Sequence, residues 1–354
     1  MKVKKKKFVS VIWGYHEHMY SFASEENYHI HVLKIAKELG FETHVIVLNR
    51  KSIINDPNFD KDINVIEYKN IFNFLYRIIK FSLQNSVFYV NSLEWQSFIV
   101  PFLARRTIFM AHTQPERKSK LKQKIQNFVY IFFKAIRLNN ETEKEFLIKQ
   151  KINPKKLFTI PLVVSQDVFS LKNDDTNTRK DIIFFGNVTK IKNLSTILMA
   201  LSEVRKKNND IKLNIIGNIW DSNFKVKINE LGLESSVIIH DFLPQDENLN
   251  NLLNQTLISV NSSLSEGQCV AVYDTALSGN VLCLTKIMSF TGVFKDKALF
   301  HDIYDYKKLS ENIIYYLDNP DIIKKYREEC IEMIKSDYSK KTIEEKLKEL
   351  IRKI

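Results

Sequence analysis

Two carboxylates eight positions apart, Glu266 and Asp274, punctuate the stretch ISVNSSLSEGQCVAVYDTALSGNVLCLT at residues 258–285. Carboxylates that share a crevice accept hydrogen bonds from sugar and ribose hydroxyls. A helix-capping glutamate followed by a solvent-facing aspartate satisfies the same spacing, so the pair alone leaves both readings open. A second constellation lies upstream, where Gly186, Asn187, Lys190, Lys192 and Asn193 follow the apolar run 181–185. Lysines and helix N–H groups at a strand-to-helix turn suit a group that gains negative charge as it departs, such as a diphosphate. Lys190 by itself reads equally as a solvated lysine. A third candidate is His112, which follows the apolar run 107–111. A histidine at the carboxyl end of a strand is placed for chemistry, or is simply bonded to backbone there. His16 and His18, after the first apolar run, read as ordinary loop histidines.

These residues need elements to hold them. The run 257–260 has the length and character of a buried parallel strand. A polar turn follows, then Glu266-Gly267, then a segment 268–277 that can be helical, closed by Ser278-Gly279, then a second apolar run 281–284. In such a strand–helix–strand unit the first loop lies at the carboxyl end of a strand, where open α/β sheets bind ligands. The helix start at Gly267, Gln268, Cys269 and Val270 offers unpaired N–H groups. Runs 181–185, 212–216 and 237–240 read as further strands of the same domain, with Gly217-Asn218 and Phe242 at the turns. In the amino-terminal half, strands are expected at 8–12, 43–48, 64–68, 87–90, 107–111 and 135–139, and helices at 27–39, 71–82 and 140–150. The helix expected at 118–134 carries Lys118, Lys120, Lys122 and Lys124 early, then Phe128, Tyr130, Phe132 and Phe133. Its aromatic face is expected to pack on the sheet, and its lysines suit an anionic membrane surface. Three helices, at 307–317, 320–335 and 339–354, close the chain.

A chain of 354 residues is long enough for two domains. With 44% hydrophobic and 27% charged residues it has the composition of a soluble globular protein. The net charge of +12 suits an anionic partner, whether a nucleotide diphosphate, an anionic membrane or a nucleic acid. Cys269, Cys283 and Cys330 form no paired motif, which excludes a disulfide framework or zinc finger and fits a reducing cytosol. No apolar run is long enough to cross a bilayer. The lysine-rich residues 2–7 lead into a first strand rather than a signal peptide.

The serine, the Glu266-Gly267 pair, the second acid eight positions on and the small-residue helix ending in Gly279 resemble the paired-glutamate signature of retaining GT-B glycosyltransferases, family four in particular, with its glycogen-synthase-like relatives. The resemblance is strong over 181–285, moderate over 135–169 and weak before His112. It implies an α/β chain of two Rossmann-like, doubly wound domains facing a cleft. The first, 1–165, is the acceptor side, with a terminal helix at about 338–354 returning to it. The second, 166–337, binds the donor. The resemblance also implies roles: Glu266 and His112 by the donor sugar, Lys192 on the diphosphate, and Asp274 on the ribose. Gly186, Asn187, Lys190, Gly217, Asn218, Phe242, Gly267, Gln268, Cys269 and Val270 would line the donor. The family's arginine after the first glycine is here Asn187, Lys190 being the nearest replacement cation, and its usual second glutamate is here Asp274. The family's amino-terminal glycine pair is replaced by Glu26-Asn27. The expected donor is a UDP- or GDP-sugar, the acceptor a glycan or lipid-linked hydroxyl, with no metal, no other cofactor and no nucleic acid. Two alternatives stay open: a nucleotide-sugar epimerase on the same scaffold, and a nucleotide-sugar-binding subunit that supports an active partner.

Overall fold

The computed structural model describes residues 5–12, 28–47, 60–90, 95–110, 120–172, 178–240 and 243–354. They form two α/β units, one of residues 1–163 with 340–354 and the other of residues 164–339. In the first unit seven parallel strands run in the order β3-β2-β1-β4-β5-β6-β7. They are β1 (Lys7–Ile12), β2 (Glu42–Val47), β3 (Asn64–Glu67), β4 (Val87–Val90), β5 (Thr107–Met110), β6 (Ala135–Leu138) and β7 (Leu157–Thr159). The central strands are buried along most of their length, as strands covered on both faces require, whereas the edge strand β3 is partly exposed.

The two faces of β1 serve two cores. Phe8 and Ile12 pack with Val32, Leu33 and Ala36 of the helix Tyr28–Glu38 and with Ile343, Leu347 and Ile351 of the terminal helix Lys340–Lys353. The side chain of His31 lies 3.2 Å from Glu344, and Lys348 pairs with Glu38 at 2.7 Å, so polar contacts border that apolar seam. Val9 and Val11 face the other way, toward Phe74 and Ile78 of helix Ile71–Ser82, Val100 of helix Trp95–Leu103, and Val129 and Tyr130 of helix Lys120–Tyr130. The aromatic residues of the last helix divide. Tyr130 and Phe133 are buried on the sheet, but Phe128 and Phe132 are exposed. The expectation that the whole aromatic run packs inward is corrected: Phe128 lies on the helix face that points outward with Leu121 and Ile125, and Phe132 lies exposed in the turn after the helix.

The second unit has six parallel strands in the order β10-β9-β8-β11-β12-β13. They are β8 (Asp181–Phe185), β9 (Leu213–Ile216), β10 (Val237–His240), β11 (Thr256–Asn261), β12 (Val281–Thr285) and β13 (Leu299–His301). From β8 the chain steps outward through β9 to β10, then returns to lay β11 on the other side of β8. The loops that leave β8 and β11 therefore diverge from neighbouring strands. That divergence is the topological switch point of a doubly wound sheet, where a crevice opens. Gly217 shows how closely the strand ends approach there. It sits at φ +138°, and a Cβ on it would lie 2.3 Å from the carbonyl oxygen of Gly186. No helix among the described residues is long and apolar enough to cross a membrane.

Candidate active site

The loop after β8 passes Gly186 and Asn187, enters a single 3₁₀ turn at Lys190–Lys192, and starts the helix Leu194–Arg205 through Asn193 in the left-handed region. The loop after β11 passes Ser262 and Ser263, reaches Glu266, and starts the helix Val270–Leu277 through Cys269, also left-handed at φ 57°. The two loops are tied by backbone, with Leu264 N–H donating to Ile191 C=O at 2.8 Å. Their side chains then meet. The Lys192 ammonium donates to Glu266 Oε1 at 2.5 Å and lies 3.7 Å from Cys269 Sγ. Ser263 Oγ donates to the same Glu266 oxygen at 2.5 Å, and Asn261 Nδ2 donates to Cys269 Sγ at 3.5 Å. Gly186 sits at φ +143°, a backbone conformation that residues with a side chain rarely adopt, and a Cβ on it would be in ordinary contact with Cε of Lys192 at 4.0 Å.

The electrostatics follow from this enclosure. Burial by itself disfavours the Lys192 ammonium, but its contacts outweigh that, the Cys269 sulfur where it is ionised and the Glu266 carboxylate at neutral pH, and Lys192 is held above its ordinary pKa. Lys192 is therefore a fixed positive charge at neutral pH. Burial pushes the Cys269 thiol up to about 12, with the Glu266 charge adding to it, so Cys269 stays a neutral thiol. Only 17% of the Lys192 side chain and 11% of that of Glu266 is exposed. A largely buried pair of this kind is poor at stabilising a fold on its own, because both charges lose water. It is well suited to presenting a preorganised cation to an incoming anion. The helix Val270–Leu277 adds amide groups, since no side chain caps its first turn.

Several sequence expectations change in detail. The helix starts at Val270, not Gln268: Cys269 is its left-handed cap, and Gln268 is buried before it. Asp274 does not stand beside Glu266 on an open surface. It is fully buried, and neither carboxylate oxygen has a hydrogen-bond partner among the described residues. Burial raises its pKa well above the usual carboxylate range. Asn187 does not offer a polar head to a ligand in the manner of an arginine. Its Oδ1 accepts from both the backbone N–H and the Nδ2 of Asn218, each at 3.3 Å, and so binds the Gly186 turn to the Gly217 turn. Lys190 is exposed at the start of the 3₁₀ turn. His112, Phe242, His16, His18 and the Glu26-Asn27 pair lie outside the described residues.

Three side chains that the sequence reading passed over help to hold the site. Asn261 supports Cys269, Ser263 supports Glu266, and buried His301 at the end of β13 sits 3.1 Å from Ser262 Oγ. The run Asn261-Ser262-Ser263 signals the first two only as a polar turn, without saying what the turn touches, and nothing local in the sequence signals His301. Among the described residues no group of three histidine, cysteine or acidic side chains is arranged to hold a metal ion.

Residues 166–337, which contain both loops, match the model of the glycosyl transferases group 1 family. The chain carries a group 1 glycosyltransferase domain. No curated protein sequence matches the chain. Solved structures do. HepE of Anabaena in complex with UDP aligns with a TM-score of 0.79 at 12% identity, covering 98% of this chain and 100% of that one. A glycosyltransferase of Rickettsia africae aligns at 0.77 and 18% identity, covering 99% of each. Sucrose-phosphate synthase of Thermosynechococcus elongatus aligns at 0.77 and 12% identity, covering 98% and 99%. The fold is GT-B, with the Lys192–Glu266 pair inside the matched group 1 domain.

Asp274 gives a pH prediction. Its folded-state pKa lies above the unfolded value, so the folded state is favoured most below about pH 4 and loses stability as pH rises toward and through the folded value. Asp274→Asn is expected to raise stability at pH 7 by about 1–3 kcal/mol and to change little below pH 4, as read by urea denaturation across pH. Gly217→Ala is expected to cost roughly 3 kcal/mol in the same assay, because the new methyl meets backbone rather than a flexible side chain.

Proposed function

We propose that the protein is a metal-independent retaining glycosyltransferase that moves a hexose-like sugar from a UDP- or GDP-sugar to a hydroxyl of a glycan or lipid-linked acceptor, in polysaccharide or glycolipid assembly. The observation that carries this reading is the Lys192–Glu266 contact at the β8/β11 switch point of a group 1 domain. The UDP and the UDP-glucose held in structures of the similar HepE fold support a nucleotide-sugar donor. In this reading the bond between the anomeric carbon and the β-phosphate oxygen breaks as the acceptor oxygen bonds to that carbon on the same face. The acceptor proton passes to the departing phosphate oxygen. Lys192 and the amides at the start of helix Val270–Leu277 stabilise the charge that develops on the diphosphate. Glu266, oriented by Ser263, accepts from a sugar hydroxyl, and we assign His112 to the same sugar on the family resemblance alone. Asp274, fully buried and with no hydrogen-bond partner among the described residues, is assigned to the ribose, a contact that requires the residues covering it to move aside; the donors gained then offset the cost of enclosing a carboxyl. The reaction needs no other cofactor and no nucleic acid. The protein works in the cytoplasm, peripheral to the inner face of the membrane.

One observation favours a second reading, a nucleotide-sugar-binding subunit without turnover. Asn187 stands where the family's arginine would, it carries no charge, and its Oδ1 is committed to Asn218.

The test is an assay of the purified chain with UDP- and GDP-sugars, following both release of nucleotide diphosphate and transfer of the sugar. Turnover is expected, with Glu266→Ala and Lys192→Ala each lowering kcat by about 10²–10³ while thermal unfolding stays cooperative. Donor binding without turnover, restored by Asn187→Arg, would support the subunit reading. Free epimerised donor as the product would replace the transferase with an epimerase.

A further inference from the structure

The first unit exposes apolar side chains that its own core does not use. On helix Ile71–Ser82 and its cap, Phe72 (79% exposed), Tyr76, Ile79 and Leu83 (84% exposed) recur at intervals of three to four residues and form one outward stripe. On helix Lys120–Tyr130 and the turn after it, Leu121 (69% exposed), Ile125, Phe128 and Phe132 do the same. Both helices bury their opposite stripe on the same face of the sheet, with helix Trp95–Leu103 beside them. Exposed Phe102 of that middle helix stacks on Phe132 with ring centroids 4.4 Å apart. Ser82, next to Leu83, donates to the backbone of Leu103 at 2.6 Å. The exposed residues thus belong to one layer of three neighbouring helices. A cluster of this many exposed large apolar side chains on adjacent helices is the kind of surface that marks an interaction site.

The charge around this layer is one-sided. Residues 69–134 contain eleven lysines and arginines against two acids, Glu94 and Glu116. Lys69, Lys80, Arg105, Lys122, Lys124 and Lys134 are all exposed. Aliphatic and aromatic side chains flanked by lysine and arginine match a bilayer with anionic headgroups: the apolar groups enter the acyl boundary and the cations remain at the phosphates. A second copy docked through the same patch would bring two cationic rims together, which disfavours a self-complementary dimer.

We infer that this helical layer is a docking surface for an anionic lipid bilayer, with the stripes of Phe72 and Phe128 inserted and the lysines around them on the headgroups. The inference stands on the first unit alone and does not depend on the donor chemistry of the second. It replaces a lysine-only contact on one helix with a three-helix face that has an apolar centre.

The test is cosedimentation of the full chain with vesicles of phosphatidylcholine alone or mixed with phosphatidylglycerol, at low and physiological salt, with UDP binding measured in parallel. Binding to the mixed vesicles, weak binding to the neutral ones, and a drop on adding salt are expected. The double variant Phe72→Ser/Phe128→Ser should lower vesicle affinity at least tenfold. Lys122→Gln/Lys124→Gln should lower it by about fivefold per lysine. Both should leave UDP binding unchanged, which shows that the variants fold. No vesicle binding, binding indifferent to both substitutions, concentration-dependent dimerisation abolished by the same substitutions, or retention on single-stranded RNA in place of vesicles would each overturn the inference. Absence of both UDP and GDP binding in the unsubstituted chain would instead strike the donor reading and leave this one standing, with cooperative thermal unfolding then serving as the check that the variants fold.

Discussion

The arrangement at the β8/β11 switch point depends on one contact, the Lys192 ammonium on the Glu266 carboxylate. Neither charge would be held largely buried without the other, because an unpaired ion at that depth loses hydration without return. The pair in turn needs the loops to diverge from adjacent strands. That requires β11 to return beside β8 rather than continue past β10, and it requires Gly217 to let the ends of β8 and β9 close on each other. Chain topology, one glycine and one ion pair are therefore a single constraint seen at three scales.

Around that constraint the second unit spends side chains on rigidity rather than on chemistry. Asn187 and Asn218 join two turns, Asn261 and Ser263 brace the groups on which Lys192 rests, and His301 supports Ser262. Burial pushes the His301 imidazole down to about 4, so it is neutral at physiological pH and adds no charge to the site. The cation that a diphosphate would meet is Lys192, with helix amides beside it. Two left-handed non-glycine residues, Asn193 and Cys269, start the two helices that flank the site. Backbone held in that region by residues with a Cβ is maintained by its surroundings, and such positions cluster where a chain must present amides in a set direction.

Much of this was legible in the sequence because it rests on local patterns. The continuous apolar runs at 181–185 and 281–284 could only be covered strands, and the glycines and lysines between them mark where loops begin. Position at strand-to-helix turns made Glu266 and Lys192 candidates, and the resemblance to retaining GT-B glycosyltransferases gave each its expected role. What was not legible depends on tertiary contact. Asp274 reads as a surface helix position, and only packing shows it enclosed. Asn187 reads as a missing cation, and only the neighbouring turn shows what it holds. Helix Trp95–Leu103 contains Pro101, and helix Met288–Phe294 is seven residues with a glycine, so neither gives a periodic signal. The division of the aromatic run 128–133 between core and surface follows from helical phase, which a short segment with ambiguous ends does not fix.

The central claim is that Lys192, positioned by Glu266, is the cation of a diphosphate site. Calorimetric titration of the chain with UDP, UMP and uridine tests it most directly. The account predicts that affinity rises steeply with the second phosphate and that Lys192→Ala removes this increment while leaving uridine binding as it was. Equal affinity for UDP and uridine, or an increment that survives Lys192→Ala, would contradict it.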